Sequence, residues 1–168
     1  MGMDRQVEIR PAAPQDLDAW MELVDQVRWS FPSLDTEEGL THCRRMIYQG
    51  ILNKNAFCAW YRGKLAGVVL FSAGRNMLRF LAVAPGYRRR GIATQLLNAM
   101  LACLDPERDV VAAVLPAGDG DGEQPGLYES LGFYRKRTLC TLGYPVWQLV
   151  RKKQYGVPGS RRRGCFPA

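Results

Sequence analysis

The segment 56–83 constrains the fold more than any other part of this sequence. It contains three apolar runs, AFCAWY (56–61), LAGVVLFS (65–72) and MLRFLAV (77–83), separated by turns at Arg62–Gly63 and Gly74–Asn76. Runs of this length that are rich in aromatic and β-branched residues and bounded by turn residues predict β-strands. Because turns this short join antiparallel neighbours, we expect an antiparallel meander of three strands.

Helical and strand-like patterns alternate on both sides of this meander. Before it, the pattern predicts a strand at Val7–Arg10, a helix that follows Pro14, and a second helix that begins with a capping box at Asp35 and Glu38 and ends at Gly50. After it, the pattern predicts a helix over 91–103, a buried strand over 110–115, a short helix over 127–131 and two late strands. This alternation favours a mixed α/β fold.

The length of the chain and the distribution of its charge predict one domain with a short tail. The 168 residues slightly exceed the roughly 100–150 residues typical of one domain. Of the 23 Lys and Arg residues, six lie in the last 18 positions, which contain no acid, so that 17 basic residues face 16 acidic residues in the remainder. We therefore expect a nearly neutral domain over 1–150 and a basic, disordered tail over 151–168.

The composition gives no support to secretion, membrane insertion or metal binding. No apolar run approaches the roughly 20 residues of a membrane helix, and no apolar segment follows the charges at the N-terminus. The five cysteines are widely spaced and form no CxxC pair, and the single histidine, His42, has no neighbouring ligands. We therefore expect a cytoplasmic protein without a metal site.

The junction between the third meander strand and the following helix is a candidate binding site. The strand ends at Pro85, and the helix opens at Gly91 after three arginines. Unpaired N–H groups at the N-terminus of a helix attract anions, and Gly91 and Ala93 let a phosphate approach the backbone. The segment matches neither the Walker loop nor the dinucleotide GxGxxG pattern. A solvated arginine run in front of an ordinary helix is the alternative.

Two motifs of the chain resemble signatures of the GNAT acyltransferase superfamily. The run Arg88-Arg89-Arg90-Gly91-Ile92-Ala93 is similar to the [RQ]-x-x-G-x-[GA] pattern of motif A, and LYESLGF (127–133) looks like the second signature. The two motifs occur in the order of the family, and IRPAAPQDL near the N-terminus resembles the usual first strand and helix entry. The resemblance spans about residues 5 to 150. Within the superfamily, the chain resembles a bacterial group whose acceptor substrate is unassigned.

This resemblance implies a GNAT-like fold, with a mixed, mostly antiparallel central sheet flanked by helices. It also implies an N-acetyltransferase that moves an acetyl group from acetyl-CoA to a primary amine by direct attack in a ternary complex. The pyrophosphate of acetyl-CoA would lie on the backbone of Arg88, Arg89, Arg90, Gly91, Ile92 and Ala93, and the pantetheine arm would pair with the strand edge at Leu81, Ala82 and Val83.

Tyr128 occupies the position of the general acid of the family, which protonates the departing thiolate. Packing of Tyr128 in the short helix without a catalytic role is the alternative. Met77 stands where many relatives have a glutamate that deprotonates the amine, and no acid occurs between Lys64 and Asp105. The base therefore stays open among a water chain, a backbone carbonyl and the acidic loop that follows residue 114.

The acceptor is not specified by the sequence, and a small-molecule amine and a peptide amine are both compatible with it. Asp119, Asp121 and Glu123 would attract a cationic acceptor or form only a solvated loop, and Trp29 and Phe31 would line the acceptor pocket or pack in the core. We expect a monomer or a homodimer. The alternatives to an enzyme are a non-catalytic acyl-CoA-binding regulatory module, suggested by Met77, and a nucleic-acid-associated protein that acts through the basic tail.

Overall fold

The computed structural model describes residues 7–31, 33–114, 126–141 and 143–154. The strands are β1 (Val7–Pro11), β2 (Ala56–Tyr61), β3 (Lys64–Ser72), β4 (Met77–Val83), β5 (Val110–Val114), β6 (Phe133–Thr141) and β7 (Tyr144–Arg151). The helices are α1 (Leu17–Val27), α2 (Glu37–Leu52), α3 (Ile92–Cys103) and α4 (Leu127–Ser130), with short 3-10 turns at Pro14–Asp16, Arg28–Ser30 and Pro85–Tyr87.

The strands form one sheet in the order β1-β2-β3-β4-β5-β7-β6. The pair β4 and β5 is parallel, and the other neighbouring pairs are antiparallel. The meander predicted over 56–83 is confirmed as β2, β3 and β4. The fold is therefore mixed α/β with a mostly antiparallel central sheet flanked by helices, as the sequence predicted. Among the described residues, no helix is both long enough and apolar enough to cross a membrane.

An apolar core lies on each face of this sheet. On one face, α1 and α2 pack with Trp20 and Ile47, each 0% exposed, against Val68 and Leu70 of β3. On the other face, α3 packs against Val69 and Phe71 of the same strand. Because successive side chains of a strand point to opposite faces, a strand covered on both sides needs a continuous apolar run, which β3 has.

The ends of α2 differ from the sequence prediction. Its N-cap is Thr36 rather than Asp35, and the Thr36 hydroxyl oxygen accepts a hydrogen bond from the N–H of Gly39 at 3.0 Å. The helix continues past Gly50 to Leu52. A side chain on Gly50 would collide with Leu70 of β3, so that this glycine serves close packing of the helix on the sheet and does not end the helix.

The folded chain extends beyond the domain boundary predicted at residue 150. Arg151 is the last residue of β7 and pairs with residues of β5 and β6. The N–H of Lys153 donates to a carboxylate oxygen of Asp109 at 2.9 Å, and the N–H of Gln154 donates to the carbonyl of Pro106 at 2.7 Å. The first residues of the predicted tail therefore pack on the domain. Residues 155–168 lie outside the described residues.

Candidate functional site

β4 and β5 separate after a single point of pairing. Met77 of β4 pairs with Val111 of β5, and the N–H of Val111 donates to the carbonyl of Asn76 at 3.2 Å. Beyond Met77, the described partner of β4 in the sheet is β3 alone. A cleft therefore lies between β4 and β5, closed at Met77 and open toward Val83. We call it the β4–β5 cleft.

The hydrogen-bond pattern of β4 shows which of its backbone groups face this cleft. The N–H of Ala84 donates to the carbonyl of Ala66 at 2.8 Å, which marks these two residues as a hydrogen-bonded pair of the antiparallel ladder. Such pairs alternate along the ladder, so that Ala82 also bonds to β3, whereas the N–H and C=O groups of Leu81 and Val83 point away from β3. Of the three residues predicted from the sequence, Leu81 and Val83 present polar backbone groups to the cleft, and Ala82 does not.

The arginine loop, residues 85–91, leads from the end of β4 into α3. Gly91 is the N-cap of α3 with a left-handed φ of 76°, and no side chain caps this helix. The first backbone N–H that bonds back along the helix is that of Gln95, to the carbonyl of Gly91 at 3.1 Å. The N–H groups of the first turn therefore have no partner inside α3, and the positive end of the helix dipole favours an anion at this point.

The three arginine side chains of this loop have different surroundings. Arg88 is half-buried, and its Nε donates to the carbonyl of Val83 at 3.3 Å. The guanidinium of Arg90 lies over the ring of Tyr61, 5.1 Å from its centroid. Arg89 is exposed and has a φ of 65°, which is uncommon for a residue other than glycine. Arg88 thus ties the arginine loop to the edge of β4, and Arg89 presents its charge to solvent.

Gly67 of β3 determines how closely the start of α3 approaches the sheet. A Cβ on Gly67 would lie 2.9 Å from a methyl carbon of Ile92 and 3.1 Å from a methyl carbon of Leu96. Ile92 is 1% exposed, so that its side chain anchors the first turn of α3 while its backbone remains at the helix start. The next residue, Ala93, is half-buried. This packing fixes the start of α3 beside the end of β4.

Gln95 is a residue of this region that the sequence analysis did not single out. Its side-chain Nε2 is buried and has no hydrogen-bond partner in the part of the chain that the structure describes. Side chains of a helix lean back over the preceding turn, so that Gln95 lies along the first turn of α3 on the side of Gly91. A buried donor without a partner can be satisfied by an oxygen of a ligand. The signal available in the sequence was an amide side chain one turn after the predicted N-cap.

Tyr128 lies on the α3 side of the sheet. It is 6% exposed in α4, and its ring packs edge-on against Phe133 with 5.8 Å between the ring centroids. Its apolar cluster also contains Leu81 of β4 and Ile92 of α3. The fold therefore brings the predicted acid into one cluster with residues of the predicted donor site. This placement is compatible with a packing role as well as a catalytic one.

The other residues that the sequence suggested for the site have different surroundings. Met77 is half-buried at its closed end, paired with β3 and β5. Phe31 packs on Phe80 of β4 with 4.9 Å between the ring centroids, whereas Trp29 is 75% exposed. Of the two aromatic residues, Phe31 therefore contacts the sheet. The acidic residues Asp119, Asp121 and Glu123 lie outside the described residues.

The two buried free thiols, Cys43 and Cys58, are not activated as nucleophiles. Burial raises the pKa of Cys43 to about 11 and, together with the nearby charge of Asp16, raises the pKa of Cys58 to about 12. Both thiols are therefore protonated at neutral pH and are poor nucleophiles. Within the described ranges, no group of three or more His, Cys, Asp or Glu residues could hold a metal ion.

A protein-family model covers the elements that form this site. The family model described as an acetyltransferase (GNAT) domain matches residues 53–135. This range runs from the end of α2 into β6 and includes β4, the arginine loop, α3 and Tyr128. No curated protein matches the sequence.

Solved structures of acetyltransferases share the fold. A GNAT-family acetyltransferase from Bacillus cereus is 18% identical and has a TM-score of 0.65, over 88% of this chain and 98% of that one. PaiA N-acetyltransferase from Thermoplasma acidophilum, in complex with coenzyme A, is 18% identical and has a TM-score of 0.63, over 87% and 98% of the two chains. An N-acetyltransferase from Staphylococcus aureus is 19% identical and has a TM-score of 0.67, over 86% and 96%. The matching family model and the shared fold identify residues 53–135 as part of a GNAT acetyltransferase domain.

Proposed function

We propose that this protein transfers the acetyl group of acetyl-CoA to a primary amine by direct attack in a ternary complex. The observation that carries the proposal is that the cleft-facing backbone groups of Leu81 and Val83 lead into the arginine loop and the uncapped start of α3. Acetyl-CoA has the complementary groups, because a pyrophosphate is joined to an extended arm that contains two amides. The complex of PaiA N-acetyltransferase with coenzyme A also supports this choice of donor.

In this proposal, the N–H groups from Gly91 to Ala93 bind the pyrophosphate, with a screened contribution from the charge of Arg89. The backbone of Leu81 and Val83 pairs with the amides of the arm, as a peptide adds a strand to the edge of a sheet. An arm that starts at the arginine loop and follows β4 runs toward Met77, where β5 closes the cleft. The acyl end therefore reaches β4 between Met77 and Leu81.

The chemical step is aminolysis of a thioester. The nitrogen of the acceptor forms a bond to the carbonyl carbon, the carbon–sulfur bond breaks, and the hydroxyl of Tyr128 gives its proton to the departing thiolate. A positioned donor lowers the barrier because the negative charge on sulfur develops in the transition state. β4 has no carboxylate, so that the proton of the amine passes to water, to a backbone carbonyl or to a group outside this strand.

Two measurements on the full chain test the proposed function. Calorimetric titration with CoA measures binding to the donor site, and a panel of primary amines, with acetyl-CoA in excess, measures release of free CoA. The proposal expects saturable CoA binding and release that depends on the amine. Binding without release for any amine would instead favour a non-catalytic acyl-CoA-binding module, and absence of binding would contradict both functions.

A further inference from the structure

A cavity of about 340 Å³, lined by both polar and apolar side chains, lies between α2 and the strands β3 and β4, on the face of the sheet opposite to α3. His42, Arg45 and Gln49 line it from α2, and Asn55, Ser72 and Arg79 line it from the sheet side. This volume is at the small end of ligand pockets, which span roughly 300–1,000 Å³. The cavity is therefore of a size for a small molecule.

The charge of this cavity is positive. No carboxylate lines it, and neither Arg45 nor Arg79 forms an ion pair within the described part of the chain. The neighbouring Arg44 shows the contrast, because its guanidinium is 3.3 Å from the carboxylate of Asp18 on α1. Two guanidinium groups that face one cavity without a carboxylate provide forked donors for a carboxylate or a phosphate.

Arg79 reaches this cavity because of an irregularity in the sheet. Leu70 of β3 pairs with Phe80, and the next residue, Phe71, pairs with Leu78, so that Arg79 is the extra residue of a β-bulge. A bulge changes the direction of a side chain. An Nη of Arg79 lies 3.1 Å from the sulfur of Met46, which places its guanidinium against α2. The bulge therefore aims a cation from β4 toward the helix.

The position of the bulge connects the cavity to the donor site. Arg79 lies between Met77 and Leu81, the part of β4 that the acyl end of the donor would reach in the proposed function. An acceptor whose anionic group lies in the cavity would therefore hold its amine beside β4 at the reacting carbonyl. In the proposed function the donor would occupy the β4–β5 cleft, so that such an acceptor would approach from the side of α2.

We propose that this cavity binds the anionic group of the acceptor, and that the acceptor is a small primary amine with a carboxylate or phosphate group. This inference rests on the proposed function. Its chemistry is the opposite of the cationic acceptor that the acidic loop suggests from the sequence. Arg45 and Arg79 determine the specificity by pairing with the anion, and His42 and Gln49 are further donors from α2.

Matched pairs of probes test this inference by binding. The panel consists of amino acids, each compared with its carboxamide, and of ethanolamine phosphate compared with ethanolamine. Titrations are made at saturating CoA, which fills the arginine loop and prevents phosphate from binding there. We expect anionic members to bind at least ten times more tightly than their neutral counterparts. The amino acids test a carboxylate as the bound anion, and ethanolamine phosphate tests a phosphate. If no anionic member is favoured, the inference is wrong.

Variants of single arginines locate the anion. Arg45 and Arg79 are both exposed, so that water screens each pairing, and Arg45→Gln and Arg79→Gln should each weaken binding of the anionic probe about tenfold and leave binding of its neutral counterpart unchanged. Arg44→Gln is the matched control, because it removes the same charge from the adjacent position of α2, outside the cavity, and should keep the preference. If Arg45→Gln and Arg79→Gln also keep it, the anion binds elsewhere.

The same panel separates a failure of this inference from a failure of the proposed function. Tight binding of anionic probes without CoA release from acetyl-CoA would contradict the acetyl transfer and retain the cavity as an anion site. Equal CoA release with anionic and neutral amines would retain the transfer and contradict the anionic acceptor. In each case CoA affinity, measured separately, shows that the variant is folded.

Discussion

The Nε of Arg88 donates a hydrogen bond to the carbonyl of Val83 at 3.3 Å. This contact joins the arginine loop to the backbone edge of β4, which are the two parts of the proposed donor site. The carbonyl of Val83 faces away from β3. An amide N–H of the pantetheine arm would therefore share this carbonyl with Arg88 or displace the Arg88 side chain from it. A site tied together in this way is partly formed before the ligand arrives, and its affinity should depend more on backbone geometry than on the number of charges.

The first prediction compares Gly91 with Arg89. Gly91→Val should weaken CoA binding roughly tenfold or more, because a left-handed φ of 76° costs a β-branched residue about 1–2 kcal/mol and the new side chain would lie at the proposed phosphate position. Arg89→Ala should weaken binding only about threefold, because Arg88 and Arg90 remain. Calorimetric titration with CoA measures both affinities.

Arg89→Gly is the control that separates the loss of the Arg89 charge from a change in backbone strain at this position. It removes the same charge as Arg89→Ala but relieves the strain of a non-glycine residue at φ 65°. If Gly91→Val binds CoA as tightly as the parent, the backbone is not the principal element that binds the phosphate. Urea unfolding of each variant separates loss of the site from loss of the fold.

The second prediction concerns the hydroxyl of Tyr128. Tyr128→Phe keeps the edge-on packing against Phe133 and removes the proton donor. We expect kcat to fall by roughly 10²–10⁴ while the Kd of CoA changes little, because general acid catalysis acts on the transition state alone. Steady-state kinetics and titration with CoA check the two parts. Parental kcat in Tyr128→Phe would assign Tyr128 to packing and the acid to another group.

The third prediction concerns Asn76, which is 0% exposed with a φ of 54°. Its Nδ2 donates to the carbonyls of Asp105, Arg108 and Asp109 at 3.0, 3.3 and 3.2 Å, and its Oδ1 accepts from the N–H of Asp105 at 2.8 Å. Asn76→Ala leaves several of these groups without a partner and should lower the free energy of unfolding by about 3 kcal/mol.

Urea unfolding measures this effect of Asn76, and Arg75→Ala provides the matched control. Arg75 is the exposed neighbour on the same turn, so that its truncation should stay within about 0.5 kcal/mol of the parent. A loss below about 1 kcal/mol in Asn76→Ala would show that water replaces the amide. In that case the segment 104–109 does not depend on Asn76 to hold the start of β5.

The fourth prediction is the pH dependence of stability that arises from the buried thiols. Burial raises the folded-state pKa of Cys43 to about 11 and of Cys58 to about 12, above the ordinary value of 9.0. Above pH 9 the unfolded chain has lost protons that the folded chain keeps, so that the free energy of unfolding falls as pH rises. The stability that these neutral thiols contribute is complete below about pH 9 and is lost between about pH 9 and 12.

Unfolding midpoints in urea, measured from pH 8 to pH 11, check this dependence, and Cys58→Ala should flatten it. An unchanged slope in Cys58→Ala would contradict the assignment to this thiol. Alkylation near pH 8, followed at the level of peptides by mass spectrometry, gives a second measurement. Cys140 is a free and exposed thiol and should react before Cys43 and Cys58, which are free and buried.

Local pattern predicted much of the secondary structure and of the site. The three strands of 56–83 follow from apolar runs between tight turns, and the start of α3 follows from the glycine after the arginine run. Both features depend on neighbours within a few residues, which is the range over which backbone preference and turn chemistry act. The family motifs added the expected roles of Tyr128 and the arginine loop, because they mark chemistry at fixed positions of a known fold.

Features that depend on pairing across the fold could not be obtained in this way. Gly50 lies inside α2 because the side chain of Leu70 in β3 occupies the place that a side chain at this position would fill. The backbone of Ala82 bonds to β3, whereas the backbones of Leu81 and Val83 point away from it, because the bonds of an antiparallel ladder alternate. Arg45 and Arg79, distant in the sequence, share one cavity because a bulge turns a residue of β4 toward α2. The sequence alone determined which segments form strands and helices. The tertiary structure decided which groups meet, because register and packing distance are set by partners that lie far away in the chain.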